Sequence, residues 1–390
     1  MIAQTVQDAV WGAEPAIVGW RRWFHTNPEL GHQEVQTAAY ITALLAGWGY
    51  HPYQPTPTSV VADLGDAPAI ALRADMDALP ITEASGMPFT STNLGCMHAC
   101  GHDAHMAMLL GAAQYFAKRP TEAGSGVRFI FQPAEEMPPG GAPALIRAGV
   151  MNGIQQVFGL HLLVTAPTGT LQLRAGAVLA NADGFDIMIH GRGGHGAEPS
   201  GTADAVLIAS AVVNALHHVV SRMTSPFDPV ALTIGKLSAG TARNIIAETA
   251  HISGTLRTLS QATQKQMAQR LAVLSEHITA AYGGTADFVF EPGYPVLING
   301  AAVVTQLTRA IRTPGVLAVG PGEEIKLAGD DFAYYLEHAP GAYGFLGCRP
   351  VGEAVADHHS PAFLMDEAAL PLGTMALITA VQSFVEARTE

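Results

Sequence analysis

The chain has 390 residues, of which 48% are hydrophobic and 14% charged, with a formal net charge of −13. That length exceeds one ordinary core and implies two domains, while the composition excludes a disordered chain or a coiled coil. The acidity repels phosphate backbones and anionic lipid and no Lys/Arg block relieves it, so neither nucleic acid nor a membrane is expected as a partner.

Residues 32 to 46 and 103 to 118 read as helices, and 70 to 74, 127 to 132 and 157 to 160 are short apolar runs of the kind found in buried parallel strands. From about 182 the pattern changes. Phe185, Ile187 and Ile189 alternate with Asp186, Met188 and His190, the period of a strand with one wet face. A helix near 202 to 221, strands near 230 to 237 and 245 to 256, a helix near 261 to 282 and a strand near 286 to 290 complete a β-α-β-β-α-β order. After Pro292 the α/β style returns, with a helix at 301 to 312, strands at 325 to 328 and 342 to 347, and a C-terminal helix from about 367. The expected fold is therefore α/β: a mixed, largely parallel sheet flanked by helices (1–181 and 293–390), with a ferredoxin-like domain (182–292) inserted into it. The apolar stretch 203 to 220 is broken by Asp204, Asn214, His217 and His218 and makes a poor membrane span. No basic n-region precedes an apolar run near Met1, so no secretory or transit signal is expected. Three cysteines, 96, 100 and 348, make a disulfide framework implausible and favour a reducing cytoplasm.

Polar clusters repeatedly follow the expected strands, where open α/β sheets place their ligand crevice. Asp75 and Asp77 follow one, and their spacing of two aims both the same way if the chain stays extended. MHACGHDAH supplies His98, Cys100, His102, Asp103 and His105; FQPAEE supplies Glu135 and Glu136; VFGLH ends at His161; DHHSP offers Asp357, His358 and His359. Each cluster alone has a plain explanation: paired acids cap helices or line wet turns, a strand-end histidine is usually structural, and a lone cysteine is a small buried hydrophobe. Together they form a thiolate, imidazole and carboxylate set suited to borderline metals. Adjacent glutamates allow a division of labour, one ligating a cation while its neighbour takes a proton from water. The absence of a cysteine-protease signature and of GxGxxG or P-loop patterns argues against those chemistries.

In HTNPELGHQE (25 to 34), RADMDALP (73 to 80), MHACGHDAH, FQPAEE, GLH, GRGGHGAEP (191 to 199), GTLRT (254 to 258) and DDFAYYLEHAPGAYGFLG (330 to 347), the sequence resembles the M20 metallopeptidase family, in its branch of N-acyl-amino-acid amidohydrolases that includes hippurate and auxin-conjugate hydrolases. The resemblance implies two divalent ions (Zn, Mn, Co or Ni) held by Cys100, His102, Glu136, His161 and His359, with Cys100 bridging. His359 is chosen over His358 because the family's terminal ligand lies two residues before a proline, here Pro361. Glu135 is the implied general base, and Asp77 the acid that orients a ligand. Asp75 stands where other M20 branches place a ligating histidine. The inserted domain resembles the family's lid or dimerisation domain, its His195 steadying an oxyanion and its Asn244 and Arg257 holding a substrate carboxylate. A small-molecule N-acyl-L-amino acid is the implied substrate and a homodimer or homotetramer the implied assembly. A dipeptidase or aminopeptidase of the same fold, and an inactive metal-dependent binding protein, are the alternatives. Departures occur at LLVTAPTG after GLH, at Asp330 where glutamate is common, and at Ser200 where histidine is frequent; none removes an implied ligand.

Overall fold

The structure is a computed structural model that describes residues 1–322, 325–349 and 356–388. It divides into two compact units. The first is Met1–Gly176 with Ile298–Glu324 and Asp331–Glu390; the second is Ala177–Leu297 with Ile325–Asp330. The expected limits of 182 and 292 fall slightly inside those of the second unit, and the expected strand at 325 to 328 is not formed. Lys326 makes only an isolated parallel bridge to Leu179. Ile325 and Leu327 are both exposed, so this run has no apolar face to bury.

The first unit is built on a seven-stranded mixed sheet in the order Val60–Leu64, Val127–Gln132, Ile70–Asp75, Gln156–Pro167, Gly341–Arg349, Thr170–Gln172, Ala318–Gly320. Its four central strands run parallel. Ile70–Asp75 and Val127–Gln132 are buried along their whole length, as expected where helices cover both faces of a sheet. Helices His102–Lys118 and Ala369–Glu386 belong to the same core, and the latter is buried along nearly its whole length. The N-terminal helix Gln4–Thr26 was not among the sequence expectations, although Val6, Val10, Ile17, Trp20 and Phe24 mark its buried stripe. The helix expected at 32 to 46 begins only at Val35, which leaves Glu34 outside it and available for other contacts.

The second unit has the β-α-β-β-α-β order. Its antiparallel sheet runs Thr285–Glu291, Asp183–His190, Thr249–Thr258, Val230–Ala239, and helices Ala205–Arg222 and Gln261–Ala281 share its core. Phe185, Ile187 and Ile189 point into that core, while Met188 and His190 face solvent. Both helices start on side-chain caps: Asp204 accepts from the Val206 amide at 2.9 Å and Ser260 from that of Thr263 at 3.1 Å. The strand expected at 245 to 256 is two, Ile245–Ile246 and Thr249–Thr258, the first pairing with Gly194–His195 in a separate ribbon.

Candidate metal centre

Two strand ends, the middle of a third strand and two loops of the first unit bring its chemistry together. Ile70–Asp75 is in register with Val127–Gln132 to their common end, and its pairing with Gln156–Pro167 stops at Gly159; the latter strand runs on past His161, expected at its end, and there pairs only on its other side, His161 opposite Phe345. The helix carrying His102 begins after Gly101, whose φ is +94° and whose Cβ, if present, would lie 2.9 Å from Leu162 Cδ1. Glycine is what allows the Cys100–His102 turn to press against the strand bearing His161. His359 arrives from the other end of the chain. Its amide donates to the Ala99 carbonyl at 2.8 Å, and the Ala84 amide donates to the Pro361 carbonyl at 2.8 Å, which ties this segment to the loop before Cys100.

The donor atoms converge. Cys100 Sγ is 3.4 Å from His161 Nε2, while His161 Nδ1 donates to the Leu162 carbonyl at 2.6 Å, a bond that fixes the tautomer and turns the Nε2 lone pair toward the thiol. His102 Nδ1 donates to the Asp77 carbonyl at 2.8 Å, and its buried Nε2 has no hydrogen-bond partner among the described residues. Glu136 Oε1 is 3.1 Å from His359 Nε2 and 4.0 Å from His102 Nε2. The ligand atoms of Cys100, His102 and His161 lie within 4.8 Å of one another, and so do those of Cys100, Glu136 and His359. Cys100 is common to both sets.

Charge makes the same point. Burial and the nearby Glu136, Glu135 and Asp75 carboxylates push the Cys100 thiol well above its ordinary range. Burial opposes a charged His102, yet Asp75, Asp77 and Glu136 lift it to about 10. The pocket is rich in carboxylate and short of positive charge. Mixed sulfur, nitrogen and oxygen donors, a buried His102 Nε2 with carboxylate oxygens of Asp75 and Glu136 3.8 and 4.0 Å away, and an excess of negative charge together fit divalent cations.

Asp75 and Asp77 do not act in parallel, because the strand ends at Asp75. They flank His102 instead: Asp75 Oδ2 is 3.8 Å from Nε2 and Asp77 Oδ1 is 3.3 Å from Nδ1. Asp77 also accepts the Glu135 amide at 3.0 Å on Oδ1 and the Glu136 amide at 2.9 Å on Oδ2, fixing the backbone of both glutamates. One carboxylate thereby orients an imidazole and the acidic pair at once. The carboxylate oxygens of Glu135 and Glu136 and a ring nitrogen of His102 lie within 4.8 Å of one another.

His105, a member of the dense histidine motif, has both nitrogens engaged: Nδ1 bonds Asp75 Oδ1 at 2.6 Å and Nε2 accepts the Leu162 amide at 3.0 Å. It is a scaffold residue. Asp75 in turn pairs with Arg73 at 2.6 Å, and Arg73 reaches Asp331 at 2.6 Å and Gln132 at 3.0 Å, a buried network that the sequence reading did not single out. Its signal was present in RADMD and in the DDF of 330 to 332. His98 is buried with neither ring nitrogen hydrogen-bonded among the described residues, and burial lowers it to about 3. The His358 ring packs against those of His161 and Phe363, 5.3 and 5.2 Å between centroids, whereas its neighbour His359 meets Glu136.

The remaining candidates lie in the second unit. His195 is exposed in the ribbon, where its Nδ1 accepts the Ala197 amide at 3.1 Å and so leaves Nε2 as the donor. Asn244 is exposed beside it, its carbonyl accepting the Gly196 amide at 2.9 Å. Arg257 is half-buried on Thr249–Thr258, with Nη1 3.5 Å from the Asn181 carbonyl; burial lowers its pKa against the pull of Asp183.

A sheet that ends in such a donor set defines a class of metal-dependent hydrolase, and comparison with known proteins gives the family. Residues 71–383 match the description of peptidase family M20/M25/M40. An N-acyl-L-amino acid amidohydrolase of Geobacillus stearothermophilus is 41% identical over 303 residues, 77% of this chain and 82% of that one. Thermostable carboxypeptidase 2 of Saccharolobus solfataricus is 36% identical over 383 residues, 96% and 97% of the two chains. Among solved structures, the YXEP protein of Bacillus subtilis, described as a dinuclear metal binding peptidase from the M20 family, superposes with a TM-score of 0.84 at 32% identity, covering 96% of this chain and 99% of that one. The chain belongs to peptidase family M20/M25/M40 and is a metal-dependent amidohydrolase.

Proposed function

We propose that the protein hydrolyses the amide bond of N-acyl-L-amino acids, releasing a carboxylic acid and a free amino acid. The observation that carries this reading is the placement of Glu135, its backbone fixed by Asp77 and its carboxylate within 4.8 Å of donor atoms on His102 and Glu136. Cys100, His102, Glu136, His161 and His359 would hold two divalent ions, with Cys100 shared. When bound, such ions supply Lewis acidity, lowering the pKa of water and stabilising charge on the carbonyl oxygen. Glu135 takes a proton from the attacking water and delivers it to the amine nitrogen as the C–N bond breaks. His195 Nε2–H is a donor for the developing oxyanion, and Asn244 and Arg257 are assigned to the carboxylate of the amino-acid half.

The relatives' names support this substrate class through one shared element. An N-acyl amino acid and the C-terminal residue removed by a carboxypeptidase both carry a free carboxylate next to the scissile amide. The second unit acts as a lid and dimerisation domain in this reading, in a homodimer or homotetramer, and three buried free cysteines support a cytoplasmic location. Purified protein stripped of metal and reloaded with Zn, Mn, Co or Ni is offered N-acetyl and N-benzoyl amino acids beside free dipeptides. Turnover of the acylated compounds, abolished by chelation, is the expected result. Preference for dipeptides with a free amine assigns a dipeptidase instead, and activity indifferent to exhaustive chelation overturns the reading.

A further inference from the structure

The motif HTNPELGHQE precedes the residues that match the family description and contributes none of the donors above. Its polar groups nevertheless reach three segments that carry the chemistry. His25 Nδ1 is 2.8 Å from Asp103 Oδ2, next to His102 in sequence. The Glu29 carbonyl accepts the Ala78 amide at 2.8 Å, next to Asp77. Glu34, fully buried, accepts the Ala134 amide at 2.8 Å, next to Glu135.

The last contact is the informative one. Ala134 has φ of +55°, a left-handed conformation that residues with a Cβ seldom adopt, and it is completely buried. Three consecutive amides, those of Ala134, Glu135 and Glu136, therefore all end on carboxylates: the first on Glu34 and the other two on the oxygens of Asp77. Asp77 holds the residues after the turn but not the turn. Without an acceptor the Ala134 amide would be a buried, unsatisfied donor, and the peptide would rotate to find another partner, carrying Glu135 with it. Glu34 is not occupied with its own helix, since it makes no side-chain cap there; Glu29 accepts the Gln36 and Thr37 amides at 3.1 and 2.9 Å instead.

We propose that Glu34 is a positioning residue for the reaction: by accepting the Ala134 amide it locks the left-handed turn that aims Glu135 at the water it deprotonates. The inference rests on the reading of Glu135 as general base. Glu34→Leu keeps the bulk and removes the acceptor; Glu34→Gln keeps an oxygen acceptor. The leucine variant is expected to lose kcat by about 10²-fold, with KM and bound metal near wild type. Glutamine should restore at least about tenfold of that loss. Hydrogen exchange in a peptide spanning 131–137 should quicken in the leucine variant and return toward wild type with glutamine. Should Glu34→Leu fail to accumulate folded, Glu34→Asp, which withdraws the acceptor by one methylene, should lose about tenfold in kcat. A leucine or aspartate variant with wild-type kcat overturns the proposal, as does a glutamine variant that falls as far as leucine. Glu135→Gln is run in parallel. If it keeps wild-type turnover, the parent reading fails; if it is inactive while Glu34→Leu is fully active, only the present inference fails.

Discussion

Most candidate residues of the first unit are buried or partly buried, His359 being the exposed exception, whereas those of the second are exposed or half-buried. In the first, Cys100 and His102 are buried, and Asp75, Asp77 and His105 are each bonded to neighbours whose positions are themselves fixed. In the second, His195 and Asn244 stand exposed on a short ribbon and Arg257 is half-buried. Buried groups held by their neighbours arrange charge before any substrate arrives, at the cost of making stability and chemistry inseparable. Exposed groups act only when something is brought to them, so removing one should leave folding untouched. Substitutions in the two regions should therefore divide by what they change.

The largest effects belong to the first unit. Glu135→Gln should lower kcat by about 10²- to 10⁴-fold, with the metal content of the purified protein unchanged by elemental analysis. Loss of metal in that variant would make Glu135 a ligand rather than the base. Cys100→Ser should reduce both the metal retained after dialysis and the melting temperature, because one side chain serves both donor sets.

His195→Ala tests the other side of the contrast. A donor to a developing oxyanion contributes about 10²- to 10³-fold in kcat, and this loss should appear with a melting temperature within error of wild type. An unaltered kcat would confine His195 to the ribbon turn it already stabilises through the Ala197 amide. Asp77→Asn is the intermediate case: the amide can accept at only one of the two positions where glutamate N–H groups now converge. A fall of about 10- to 100-fold in metal affinity, with lowered stability, is expected by calorimetric titration and thermal melts. Unchanged affinity would separate Asp77 from the orientation of His102.

Much of this could be read in the sequence because the chemistry is dense where it matters. Cys100, His102 and His105 sit within six residues of one another, and Glu135 and Glu136 follow a largely apolar, fully buried strand, so a strand end and donor types coincide. The alternation of Phe185, Ile187 and Ile189 likewise set the second unit's sheet apart from the parallel one. What stayed hidden depends on partners far away in the chain. Nothing local distinguishes His105, whose nitrogens go to Asp75 and Leu162, from a metal ligand in the same motif. Arg73 is an unusual charge within an otherwise apolar run, and its pairing with Asp331 joins residues 258 apart. The spacing of Asp75 and Asp77 aims both the same way only while the chain stays extended; the strand stops between them, and each takes a different nitrogen of His102. Glu34 reads as the start of a helix until its contact with Ala134, 100 residues away, is seen.

Glu34 also gives the smallest prediction, which separates burial from chemistry within the first unit. Burial, with the Asp77 carboxylate adding to it, raises Glu34 from 4.5 to about 7. The folded protein therefore binds this proton more tightly than the unfolded chain, and the sign follows: stability is highest below about pH 4.5 for this group, falls as pH rises toward 7, and levels off above. Glutamine does not ionise and removes that dependence. Urea unfolding of metal-free protein at about pH 5 and about pH 8 should show wild type losing more stability than Glu34→Gln across the interval, by up to about 3 kcal/mol. The metal-free state keeps cation binding out of the comparison, and the difference between variants cancels the other titrating groups. Equal pH dependence in the two proteins would mean that the Glu34 carboxylate is as well solvated in the fold as outside it, contrary to its complete burial beside Ala134.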